Sequence, residues 1–146
     1  MKSIAIFVTI MLAWLDVCAQ YQTNYLSSTA TTITVRAVGH GRNSNKATID
    51  AEHNALLAIL YNGFERATYS SALITELRDD VEKANYDYFR NFSNSEYRQF
   101  IQSSIVTQPF AKDSANNKCI VLDITINHKA LRENLEKNGV IRKFGF

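Results

Sequence analysis

Gly39-His40-Gly41-Arg42 stands between a β-branched run and an alanine-rich one, where a phosphate-binding turn would sit. Ser44 replaces the third glycine of a dinucleotide fingerprint and no Gly-Lys-Ser/Thr follows. What remains is an anion-binding turn built from Gly39, Gly41 and Arg42 ahead of a helix N-terminus, with a plain turn as the alternative. His53 has Asp50 three residues before it and Glu52 beside it. A metal centre needs three or four converging ligands, and neither His40 nor His128 stands at ligand spacing from His53. The group therefore reads as a polar helix face, with no metal assigned. Cys119 could act as a nucleophile only beside a histidine and with a depressed thiol pKa, and Lys118 is the one cation next to it in sequence. The plainer reading is a small hydrophobe. Glu76, Asp79, Asp80 and Glu82 crowd one helix start, whereas general acid and base carboxylates face each other across a cleft. The helix dipole accounts for this cluster as a solvated face. No catalytic residue and no cofactor is assigned, and the chain is read as a non-enzyme.

Tyr86, Tyr88, Phe89, Phe92, Tyr97 and Phe100 form an aromatic-rich stretch that could serve a sugar, a peptide or a protein partner. Six such rings cannot share one helical stripe. The phase set by Val81 and Tyr88 leaves Tyr86 and Phe89 outside it, which makes these two the partner-binding candidates. Phe144 and Phe146 close the chain. A membrane barrel requires about eight strands or more, and only three or four are legible, so these rings are read as covering a sheet edge or meeting a partner.

These residues need elements to position them. Residues 1–19 read as an export signal: Lys2 is a short positive region, Ile4 to Leu15 is an apolar run of twelve, and Val17-Cys18-Ala19 is a small-residue cleavage site. Twelve residues rise about 18 Å as a helix, short of the roughly 30 Å hydrocarbon core, so a retained transmembrane span is the poorer reading. Cleavage after Ala19 leaves Cys119 as the one cysteine. The alternative is a lipoprotein cut before Cys18 with lipid on that cysteine; Leu15 suits it, while Asp16 and Val17 are poor neighbours. Lys2 and Asp16 leave together, so the net charge stays at +2. That balance points away from nucleic acid and from an anionic membrane surface.

The mature chain is long enough for one domain, placed at 31–146 behind a Ser/Thr-rich segment at 20–30 read as a flexible arm or a loosely held edge strand. Thr31 to Val38 alternates as a strand. Asn43 or Ser44 caps a helix to Tyr61, with Ala47, Ala51, Ala55 and Ala58 on a narrow face that lets it lie close to a sheet. Apolar spacing predicts a second helix over 73–92, and Ser93 to Glu96 offers a capping box for a short third one through Ile101. Ser104 to Ala111 reads as an edge strand because of Pro109, and Lys118 to Asn127 as its hairpin partner. Asn127 caps a last helix that Gly139 ends. The expected fold class is α+β: a two-layer sandwich with an antiparallel sheet of three or four strands and helices on one face, in the order β-α-α-β-β-α.

The run T-V-R-A-V-G-H-G-R-N-S-N-K-A-T-I-D-A-E-H-N-A-L-L-A-I-L resembles the N-terminal domain of flagellar assembly protein T and related LPP-type surface lipoproteins. Y-R-Q-F-I and the ending I-T-I-N-H-K-A-L-R-E-N-L-E-K-N-G-V-I-R-K-F-G-F are similar to small exported proteins of Gram-negative bacteria. The resemblance implies an envelope-associated module and carries no catalytic set.

The function expected from these readings is that of a periplasmic or outer-membrane-associated structural or accessory protein binding another envelope component. Two alternatives stay open: a small-ligand or glycan-binding module using Tyr86 and Phe89, and a hydrolase using Cys119 or His53. The oligomeric state is not legible.

Overall fold

The computed structural model describes residues 23–68, 70–113 and 115–143. The export signal, both cleavage readings, Cys18, Phe144 and Phe146 lie outside the described residues. Alternation sets the central strands. In β2 (Ile33–His40) and β4 (Lys118–Ile126), Ile33, Val35, Ala37, Ile120, Leu122, Ile124 and Ile126 all enter one core. The two pair antiparallel from Ile33↔Ile126 to His40↔Cys119. β1 (Thr23–Ser28) flanks β2 and β3 (Ile101–Lys112) flanks β4, giving one antiparallel sheet in the order β1-β2-β4-β3. The helices cover one face, so the architecture is the α+β two-layer arrangement that the pattern implies.

Small residues decide how close the layers come. α1 (Ser44–Leu57) rests on the sheet through Ala47, Ala51 and Ala55, all fully buried. Gly39 faces it from β2, where a Cβ would run into the Ala47 carbonyl and stand 2.7 Å from the Ala51 Cβ. The opposite face of the sheet carries a polar ladder. Thr34 and Thr125 share a hydroxyl hydrogen bond of 2.9 Å, and Arg36 grips Asp123 through Nε at 2.7 Å and Nη2 at 2.9 Å. At the far end of that face Val38, Cys119 and Val121 form a second buried cluster.

The backbone departs from the sequence reading at several points. Residues 23–28 of the supposed arm form a strand, paired with β2 across a register shift between Tyr25 and Ser27. The sheet thus starts ahead of residue 31, and the edge-strand alternative is the one this segment adopts. The first helix keeps its α form only to Leu57 and finishes as a π-turn over Ala58–Asn62. The Ile59 and Leu60 carbonyls accept from the Leu73 and Ile74 amides, partners from outside the helix that a continuing α-helix would not use. Those same bonds hold residues 73–77 out of helical form. The expected single helix over 73–92 becomes α2 (Arg78–Ala84) and α3 (Tyr86–Asn94), broken at Asn85, whose side-chain amide donates to the Val81 carbonyl at 3.0 Å. Downstream, Glu96–Phe100 is a 3-10 turn and Ser95 makes no side-chain cap, so the capping box does not form.

α4 (His128–Lys137) has the ends its sequence suggests. The Asn127 carboxamide accepts from the Ala130 amide at 3.0 Å. Gly139 turns at φ 71° while the Val140 amide bonds the Leu135 carbonyl at 2.9 Å. His128, at the helix start, is buried, and burial first, then the Arg132 charge, lowers its pKa below 6.5. The fold therefore favours neutral His128, and below about pH 6.5 the unfolded chain takes up a proton that the native state resists. Stability should hold above that pH and fall as pH drops through it. Urea midpoints at pH 7.5 and 5.5 check this: His128→Gln should show a smaller decline than the parent, and an equal decline would assign the pH dependence to other groups.

Candidate functional site

Gly39 and His40 are the last two residues of β2, so the strand breaks only at Gly41 and not at Gly39 as expected, and the donors here are spent inside the protein. The His40 amide goes to Asp50 Oδ2 at 2.8 Å and the Gly41 amide to the Lys118 carbonyl at 3.3 Å. At the start of α1, the Lys46 amide bonds Asn43 Oδ1 and the Ala47 amide bonds the Asn43 carbonyl. Gly41 serves close packing, since a Cβ there would lie 2.5 Å from the Ala47 nitrogen. Arg42 is exposed at the rim of an open depression with Lys46, Asp50 and His53. Asp50 and Asn54 act as edge caps for β2: Asn54 Nδ2 donates to the Val38 carbonyl at 2.9 Å, next to the amide held by Asp50.

Glu52 and His53 join the helical layer together. Glu52, only 8% exposed, accepts from the Tyr97 hydroxyl at 2.8 Å, and Arg98 Nε lies 3.5 Å from the same oxygen. Burial first, then the bond to Glu52, pushes the Tyr97 hydroxyl pKa up, with Arg98 opposing. His53 Nε2 bonds the Ser93 carbonyl at 3.1 Å, and its ring meets Tyr97 edge-on at 4.7 Å. Among the described residues no group of three or more His, Cys, Asp or Glu side chains is placed to hold a metal ion. Cys119 is buried and disulfide-bonded, so no free thiol is present there for a nucleophile; the reading of it as the one cysteine belongs to a chain cut after Ala19, and that cut lies outside the described residues.

A second carboxylate–tyrosine–arginine set sits one π-turn along. Glu82 Oε1 accepts from Arg78 Nε at 2.7 Å and from the Tyr61 hydroxyl at 3.0 Å, and the Arg78 guanidinium lies 5.4 Å from the Tyr61 ring centre. Burial and this bond raise the Tyr61 pKa. Glu82 is thus a structural partner and not part of a solvated face. Two neighbouring depressions share Leu57 and Arg78 and together form a shallow groove. The smaller part, about 150 Å³, is lined by leucines and phenylalanines together with His53, Glu82 and Ser93. The larger part, about 700 Å³, is bounded by Thr23, Asn54, Asn62 and Phe64. Arg78 borders both parts.

Of the partner-binding candidates, Phe89 is 8% exposed and belongs to the core, because the break at Asn85 rotates α3 relative to the phase of α2. Tyr86 is 64% exposed, with Arg90 over its ring at 5.7 Å. Tyr88 is half-buried, donates to Asn134 Oδ1 at 2.8 Å, and has its pKa pushed up to about 12, chiefly by burial and then by Glu96.

Leu77, ahead of α2, stands alone at 75% exposure, whereas β3 carries two exposed apolar residues side by side. Ile105 is 61% and Val106 55% exposed, on adjacent positions that face opposite sides of the sheet. Among the described residues β3 is an edge, paired with β4 alone. Register shifts near Ser103, Gln108 and Ala111 leave Ser103–Val106 as its regular window. No charged residue occurs between Ile101 and Ala111, although edges are commonly blunted by charge. The missing charges were visible in the sequence; the exposure of both neighbours was not, because it depends on how far the helical layer reaches. Among the described residues no helix is long and apolar enough to cross a membrane. No protein-family model, no curated protein and no solved structure matches the chain.

Proposed function

We propose that this chain is an exported, non-enzymatic envelope protein that binds an extended segment of another envelope protein along β3. The uncharged edge with Ile105 and Val106 exposed on its two sides carries the reading. An added strand satisfies free backbone groups along an edge, and its own side chains then flank these two residues on both faces. The bulges and Pro109 keep the pairing window short, which favours one specific segment over open-ended sheet growth. The export signal supplies the compartment in this reading.

The substitutions that test it are Ile105→Lys with Val106→Lys. Both positions are exposed, so stability should change by no more than about 0.5 kcal/mol. The double variant should lose, by about tenfold or more, whatever the parent retains from detergent-extracted envelopes. Equal retention by parent and variant would defeat the reading.

A further inference from the structure

The groove over α1 has an orientation that its packing role does not require. Arg78 is fixed from two sides: Glu82 takes its Nε, and the Tyr61 ring supports the plane of its guanidinium. Among the described residues only Nε is spent on a hydrogen bond, and the side chain is half exposed, so the two Nη groups remain as paired donors beside the groove that Arg78 borders. A guanidinium held in this way is suited to a two-pronged bond with a carboxylate. Immediately beside it lies the half-open 150 Å³ pocket, whose lining is mostly leucine and phenylalanine with His53, Glu82 and Ser93 among them. A cavity of roughly that size and lining takes a single ring or a branched aliphatic group.

We infer that this groove binds a carboxylate carrying one compact apolar group, with the carboxylate on Arg78 Nη and the apolar group against Leu56, Leu57, Leu60 and Phe89. Charge complementarity selects the carboxylate, because Arg78 is the one basic side chain bordering both parts of the groove. Glu82 disfavours a second negative charge close to its own oxygens, so a monoanion fits better than a dianion. The free C-terminal residue of a peptide and a small free acid present the same chemistry. The site involves no residue of β3, and it stands or falls separately from the proposed edge interface.

The test is a titration of the isotopically labelled protein, followed by NMR, with N-acetyl-leucine and with N-acetyl-leucinamide. The acid should bind saturably, with shifts centred on Leu56, Leu57, Leu60 and Arg78, and the amide about tenfold or more weaker. This comparison uses the unmodified protein, so it holds even where a variant folds poorly. Arg78→Gln should abolish the preference for the acid, and Arg78→Lys should restore part of it by charge without the fork. A short peptide ending in a free leucine separates the two sources: binding like the acid supports a chain terminus, and exclusion of the peptide with retention of the acid supports a small molecule. Equal binding of acid and amide, shifts centred elsewhere, or no saturable binding would overturn the inference.

Discussion

Gly39→Ala is expected to unfold most of the molecule, although it adds one methyl group. The added Cβ would meet the Ala47 carbonyl and the Ala51 amide, both helix backbone, and the Ala51 Cβ at 2.7 Å. None of these can swing aside as a flexible side chain would. Gly39 lies on a central strand and pairs with Ile120, so β2 cannot retreat without opening the sheet. α1 must lift instead, and lifting it uncovers Ala47, Ala51, Ala55 and Leu56. Overpacking a core costs about 1–3 kcal/mol even where neighbours can adjust, and here the obstacle is backbone, so a loss above about 3 kcal/mol is expected. Gly139→Ala is the control, because that position has open space around it but φ 71°. Its cost should be about 1–2 kcal/mol, from conformation alone. Urea unfolding of both variants separates the causes. A Gly39→Ala protein within 1 kcal/mol of its parent would mean that the two layers are not packed as described.

Tyr97→Ala should be the next most damaging change. Tyr97 is buried, its ring lies edge-on to His53 and tilted against Phe92, and its hydroxyl partners Glu52. Removing the ring forfeits about 3–5 kcal/mol of packing. It also leaves the buried Glu52 carboxylate with Arg98 alone at 3.5 Å. Tyr97→Phe keeps the ring and removes only the hydroxyl, so it should cost about 1–3 kcal/mol. If the two variants were equally stable, the aromatic packing would contribute nothing beyond the hydrogen bond.

The sheet was legible because period-two alternation in 31–38 and 118–127 has one structural meaning. The alanine face of the first helix was legible because small residues at helical spacing announce a close approach; Gly39 as its counterpart was not, since Gly39-His40-Gly41 reads as a turn whereas Gly39 lies in β2. The split of 73–92 was not legible either. Its apolar spacing fits a helix; what opposes it is tertiary at the start, where Leu73 and Ile74 bond the π-turn, and local at Asn85, whose side chain bonds the Val81 carbonyl. That break also explains Phe89, whose expected exposure came from continuing one helical phase across residue 85. Arg78 and Glu82 are four apart and could have been paired on sequence alone. Tyr61, which completes their set, comes from another element, so the groove could not be drawn before the fold was known.

The edge interface is tested most directly by photocrosslinking in living cells. With p-benzoylphenylalanine in place of Ile105, one discrete adduct with an envelope protein should form on illumination, and none from Glu133 on the exposed face of α4. No adduct from position 105, or the same adducts from both positions, would contradict the proposal that β3 is where this protein meets its partner.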